Sequence, residues 1–321
     1  MSKKIYRSKI LDEFIHYRIN YNRWNNSYQA NLIAFDNYCS KFFSNEPDIT
    51  QDMLNKWYEN RPSESLSSTR SRIQVITALI HYIQKRYDSS LYVPELPAKS
   101  KNQYIPHSFS NEELAAFFEE CDRQVLSSAP GEVAFKALTI SVMFRTLYST
   151  GMRTTEVRFL KPENINFDEG IISIQSTKGN RQHFVALDFE LNTLLINYNT
   201  IAERMYPTRS YFFYNKYDKE PFSAQDLRYH FNKIWNKVNN THAVPYDFRH
   251  NYAVQNINRW IATGIEFHDK FLYLSKSMGH SSLESTKYYY HLVPLFANIM
   301  YSCDNTAFDS IIPEVMNYEE E

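Results

Sequence analysis

Residues 278–291, MGHSSLESTKYYYH, place a glycine–histidine pair, Gly279 and His280, ahead of a short polar turn and three consecutive tyrosines. Ser281 and Glu284 stand three apart, the spacing of a capping box in which each side chain satisfies the other residue's free backbone N–H. The pattern predicts a helix start here. Successive helical residues are rotated by about 100°, so Tyr288, Tyr289 and Tyr290 point in three directions and one of them shares a site with His280.

Composition bounds what surrounds this stretch. A chain of 321 residues with 43% hydrophobic residues has material for two domains, each with a packed core. Tyr 25 and Phe 22 against Gly 6 favour helices and aromatic packing, and no Walker-type phosphate loop is present. The formal charge of −1 hides an asymmetry. Six of the 36 acidic residues lie in 304–321, which has no Lys or Arg, so the chain up to Cys303 carries 35 basic residues against 30 acidic, a net of +5. That excess is compatible with a DNA-facing surface. Cys39, Cys121 and Cys303 are far apart, without the spacing of a zinc site or a disulfide framework. The start MSKKIYRSKILDEF lacks a signal-peptide core, and no run of eighteen apolar residues occurs, so the expectation is a cytoplasmic protein without a membrane span.

Residues 1–90 read as a small helical domain. Ile10, Leu11, Phe14 and Ile15 share one helical face, Tyr28, Leu32, Phe35 and Cys39 continue on a second, and Thr50 caps a third ahead of Met53, Leu54 and Trp57. From Ser68 to Tyr87, Ile73, Ile76, Leu79, Ile80 and Ile83 alternate with Arg70, Arg72, Lys85 and Arg86, which read as a solvated basic face. Residues 91–107 hold Pro94, Pro97 and Pro106 and read as a linker. A second domain, 108–303, opens with Ser110 as an N-cap before Glu112 and Glu113, followed by helices through Cys121 and from Val133 to Ser149. Gly151 ends the latter in a left-handed conformation and a new helix begins near Thr154, which leaves Arg153 in the turn. GIISIQ and HFVAL are short β-rich runs separated by STKGNRQ, whose Lys178-Gly179-Asn180 supplies hairpin-turn residues. Residues 190–240 read as helical and aromatic, and VPYDFRHNYAV, 244–254, as the start of a further helix. The acidic tail 304–321 carries Phe308, Ile311 and Ile312, which pack on their own domain or dock on a neighbouring protomer.

Four of these boxes, in this order, resemble the tyrosine recombinases, or phage integrases: TGMRTTEV, TKGNRQHFVAL, VPYDFRHNYAV and MGHSSLESTKYYYH. The resemblance implies a mainly α protein with a small β-hairpin or sheet, built as a helical core-binding, DNA-binding domain ahead of an α+β catalytic domain. It maps the two phosphate-clamping arginines to Arg153, with Glu156 three residues on, and Arg249. A guanidinium suits that role because its planar fork of donors matches phosphate oxygens and keeps its charge. Lys178 is then the acid for the leaving oxygen, with Arg181 as its neighbouring alternative, His280 a donor to the scissile phosphate, and Tyr289 the nucleophile. Tyr246 stands where histidine or lysine is usual in the family. A phenol with a pKa of about 10 is a poor proton acceptor, although hairpin telomere resolvases also carry tyrosine there. His250 reads as packing or support.

The implied activity is site-specific cleavage and rejoining of DNA strands through a 3′-phosphotyrosyl ester, in integration, excision, inversion or resolution by way of a Holliday junction. It needs no metal, ATP or organic cofactor. The implied partners are double-stranded DNA and a synaptic homotetramer, with or without a second recombinase, and the implied location is the nucleoid. A simple Xer-like or transposon-encoded enzyme is expected. The alternatives are a cleavage-deficient DNA-binding accessory factor of the same fold and a telomere-resolvase or type IB topoisomerase activity.

Overall fold

The computed structural model describes residues 9–21, 23–46, 48–87, 89–93, 95–98, 104–175, 182–215, 220–261, 267–280, 284–287 and 289. The chain divides into two compact units, Met1–Tyr104 and Ile105–Glu321.

The first unit is a set of helices, α1 (Lys9–Asn20), α2 (Asn26–Phe42), α3 (Gln51–Tyr58) and α4 (Leu66–Arg86). Thr50 caps α3 by accepting from the Met53 N–H, as its sequence position predicts, and Ser65 caps α4. Leu11, Phe14, Leu32, Phe35, Leu54, Trp57, Ile76, Leu79 and Ile80 form the core, with Phe35 edge-on to Trp57 at 5.2 Å between centroids. Arg72 departs from the expected solvated face. Four and seven residues before Ile76 and Leu79, it lies on the buried side of α4 and is 3% exposed. Its guanidinium donates to both Glu64 carboxylate oxygens (3.0 and 2.9 Å) and to the carbonyls of Trp57 and Glu59. Arg86 is drawn over the rings of Tyr82 and Tyr17.

The second unit begins with α5 (Asn111–Ser127), capped by the expected Ser110–Glu113 box, then α6 (Glu132–Thr150) and the short α7 (Thr154–Arg158). A three-stranded antiparallel sheet follows, β1 (Ile165–Asn166), β2 (Ile171–Ile174) and β3 (His183–Ala186), in the order β1-β2-β3 with Ile172 opposite Val185 and Ile174 opposite His183. Alternation along β3 turns His183 and Val185 inward and Phe184 outward. The stretch read as helical and aromatic holds two helices, α8 (Phe189–Met205) and α9 (Ala224–Val238); between them the described residues 206–215 and 220–223 are not helical, carry Pro207 and Pro221, and bury Phe212, Phe213 and Phe222 in the core.

α10 (Asp247–Ile261), α11 (Phe267–Ser277) and α12 (Glu284–Lys287) complete the described elements. α10 packs on α6 and α11, and α11 also packs on β3. The entry of α10 is anchored by Phe248, fully buried, which stacks on Phe109 (5.1 Å) and meets Phe117 and Phe231 edge-on. Burying a phenylalanine contributes roughly 1.5–3 kcal/mol, and its backbone neighbour Arg249 inherits the fixed position. Among the described residues no helix is long and apolar enough to cross a membrane.

Candidate active site

Two helix ends build the site. α6 stops at Gly151, whose φ of 62° is the left-handed conformation expected of it, with its N–H bonded to the Leu147 carbonyl at 3.1 Å. α11 stops at Gly279, also at φ 62°, where the Gly279 N–H reaches the Lys276 carbonyl (2.9 Å) and the His280 N–H the Ser275 carbonyl (3.0 Å). This is a Schellman ending, which turns the chain sharply and leaves the carbonyls around the glycine free of the helix ladder. A side chain is not tolerated at either glycine. A Cβ at Gly151 would lie 2.3 Å from Cδ1 of Tyr252 on α10, and one at Gly279 2.7 Å from Cε1 of His183.

Two arginines tie these ends together. Arg153, the N-cap of α7, donates from Nη2 to the Gly279 carbonyl (2.7 Å) and from Nη1 to Oε1 of Glu156 (2.6 Å), while Oε2 of Glu156 takes the Arg153 backbone N–H (2.8 Å). Arg249, on the first turn of α10, donates from Nη1 to the Gly151 carbonyl (2.7 Å) and from Nη2 to the Met278 carbonyl (2.6 Å). The same Nη2 stands 3.0 Å from Nε2 of His280. Arg249 is 2% exposed, whereas the Arg153 side chain is 21% exposed and opens to solvent. Burial lowers the Arg249 guanidinium from its usual value, opposed by Tyr246, Tyr289 and Glu156, yet an arginine stays charged at neutral pH.

His280 is held at both nitrogens, with Nδ1 2.7 Å from Oγ1 of the fully buried Thr286 on α12. Burial first, then the charges of Arg249 and Arg153 and the rings of His183 and His250, push its pKa down to about 3. The imidazole is therefore neutral across the physiological range. The Tyr289 ring lies nearly parallel to it (15°, 6.1 Å between centroids) and is 3% exposed. His250 stands 5.6 Å from Tyr289 and 5.2 Å from Tyr246, so four rings form a file from Tyr246 through His250 and Tyr289 to His280. Burial likewise lowers the His250 pKa.

Five of the six residues expected in the site, Arg153, Tyr246, Arg249, His280 and Tyr289, thus converge, with Tyr246 at the rim, 40% exposed. Lys178 and its alternative Arg181 lie outside the described residues, as does Ser281 of the expected capping box. Two histidines join the site beyond that set. His250, expected to pack or support, lies ring to ring with Tyr289, and His183 on β3 is buried 3.9 Å from Oε2 of Glu156 beneath Gly279. Their sequence signals were slight: a histidine beside Arg249, and one at an inward position of a short strand. Among the described residues no group of three or more His, Cys, Asp or Glu is placed to hold a metal ion.

Residues 108–294, which include all of these positions, match the phage integrase family. The tyrosine recombinase XerC of Staphylococcus carnosus (strain TM300) is 24% identical over 199 residues, covering 62% of this chain and 61% of that protein. The tyrosine recombinase XerA of Pyrococcus furiosus is 23% identical over 294 residues, covering 90% of this chain and 91% of that protein. Among solved structures, the XerH site-specific recombinase in a post-cleavage complex with palindromic difH substrate superposes with a TM-score of 0.62 at 19% identity, over 92% of this chain and 84% of that one. The Tn1549 transposon integrase in complex with circular intermediate DNA gives 0.58 at 14% identity, over 91% and 98%. The fold is shared with both, and the match across residues 108–294, more than half of its length, makes this chain a member of the phage integrase family.

Proposed function

We propose that the chain is a tyrosine-type site-specific recombinase that cleaves and rejoins double-stranded DNA, with Tyr289 as the nucleophile. The observation that carries this reading is the convergence of Arg153 and Arg249 on the successive carbonyls of Gly279 and Met278, next to His280 and the Tyr289 ring stacked on it. Buried Nε of Arg249 has no hydrogen-bond partner among the described residues, an arrangement that costs about 1–3 kcal/mol unless a substrate oxygen completes it.

In this mechanism the Tyr289 oxygen bonds to phosphorus in line with the departing 5′ oxygen, and the phosphodiester becomes a 3′-phosphotyrosyl ester. Arg153 and Arg249 stabilise the added negative charge of the transition state. Lys178 donates the proton that the 5′ oxygen takes up. The phenol's proton passes to His250, a neutral imidazole beside Tyr289, since the phenol of Tyr246 is a poor acceptor. Attack by a 5′-hydroxyl of another strand reverses the step and restores the tyrosine. The helical first unit grips the duplex beside the cleavage site, and a homotetramer on two duplexes, with or without a second recombinase, carries out exchange at the nucleoid. The tetramer is supported by the relationship to lambda integrase, whose structure is a tetramer bound to a Holliday junction.

Covalent trapping tests the reading. Nicked suicide duplexes from DNA flanking the native locus should give an SDS-resistant adduct with wild type and Tyr288→Phe and none with Tyr289→Phe. An adduct that survives Tyr289→Phe, or none with wild type despite tight binding, would sink it.

A further inference from the structure

We infer that Tyr252 is a positioning residue for Arg249, because its ring and its hydroxyl brace the two helix ends whose carbonyls hold that guanidinium. Both side chains leave α10, and at a spacing of three residues they lie one turn apart on the same side of the helix. Arg249 spans the carbonyls of Gly151 and Met278. Tyr252 spans the same two ends. Its ring lies so close against Gly151 that a Cβ there would meet Cδ1 at 2.3 Å and Cγ at 2.8 Å. Its side chain also hydrogen-bonds that of Ser277, the last residue of α11 and the neighbour of Met278. The ring thus limits how near the end of α6 comes to α10, and the hydroxyl ties the end of α11 to the same helix. Between them they set the separation of the two carbonyl oxygens that Arg249 bridges. A guanidinium is planar and rigid, so a shift of either oxygen moves all of its donors together. Burial holds the Tyr252 phenol above its usual pKa, so at neutral pH it keeps its proton and serves as a hydrogen-bonding group.

The bracing is a property of the DNA-free protein, while its effect on cleavage rests on the recombinase reading above. The test separates the two. Tyr252→Phe removes the hydroxyl and keeps the ring, and Ser277→Ala removes its partner. In the trapping assay at saturating DNA each variant should form adduct about 10-fold more slowly, with affinity for the duplex unchanged. The double variant should be no slower than either single one, since all three lose the same bond. In full-length protein labelled with nitrogen-15 arginine and free of DNA, Arg249 is identified by its loss in Arg249→Lys. Its two Nη nitrogens should give separate signals, because a carbonyl on each hinders rotation about the Nε–Cζ bond, and in Tyr252→Phe they should exchange about 10-fold faster. Adduct formation at the wild-type rate in Tyr252→Phe overturns the proposal, as do losses that multiply in the double variant or an unchanged exchange rate at Arg249. If Tyr252→Phe does not fold, Ser277→Ala carries both measurements. Failure of the wild type to form any adduct would instead strike at the recombinase reading and leave the arginine signals to judge Tyr252.

Discussion

Tyr289 meets two imidazoles, and they have separable roles. His280 is tied at both nitrogens, whereas His250 faces both Tyr289 and Tyr246 with a ring whose pKa burial has lowered. His250→Phe keeps the aromatic contacts and removes the proton acceptor, so adduct formation should slow by about 100-fold or more. Single-turnover trapping checks this, and an unchanged rate would move the base elsewhere. The division was not legible from residues 246–250. There the sequence marks Tyr246 as the departure from the family pattern and leaves His250 to pack or support. What decides between them is the angle at which α10 meets the segment carrying Tyr289, a tertiary property. Arg153, Arg249, His280 and Tyr289 were picked out through the family resemblance of their boxes, and the structure brings the four together. The placement of His183 was not legible, because an inward histidine on a strand of four residues has the same local pattern whether it fills a core or stands beside the glutamate that holds Arg153.

At the scale of elements, the two glycine-terminated helices carry the geometry. Gly151→Ala forces an L-residue into a left-handed conformation and drives its Cβ into the Tyr252 ring, so a loss of about 2–4 kcal/mol is expected. Tyr252→Ala removes the obstacle. In a denaturant double-mutant cycle the two losses should therefore fall short of additive by about 1 kcal/mol or more, and simple additivity would show that the contact is not what forbids the side chain. The left-handed end of α6 and the restart at Thr154 could be read from Gly151 and the residues around it, as could the strands flanking the hairpin. The Schellman end of α11 could not. Its two bonds depend on where the helix stops, and the residues around Gly279 gave a helix start to expect after His280 rather than a stop before it. The break between α8 and α9 was missed for a related reason: aromatic density marks burial but does not say whether a helix or an irregular strap carries the rings.

Across the whole molecule, acid should act through histidines held neutral. His280 is held down to about 3, and His230, half-buried beside Lys136 and Lys233, to about 4. An unfolded histidine takes up its proton near pH 6.5, so between that point and these values the unfolded chain binds more protons, and stability falls as pH is lowered. Melting temperatures measured from pH 7 to 5 should decline, and His230→Gln, away from the site, should flatten the slope. An equally steep decline in that variant would assign the effect to other groups. Arg72 shows the limit of charge as a guide at this scale, since one of the basic residues on α4 is consumed by Glu64 in the interior. Arg153 and Arg249 are treated differently. Arg249 is tied by carbonyl oxygens and an imidazole, and Arg153 by one carbonyl and one carboxylate, so the pair is oriented by dipoles while Glu156 cancels a single charge. In the proposed reaction this leaves the guanidinium of Arg249, itself 2% exposed, to act on a phosphodiester through a medium that screens it little, in a protein whose formal total is −1.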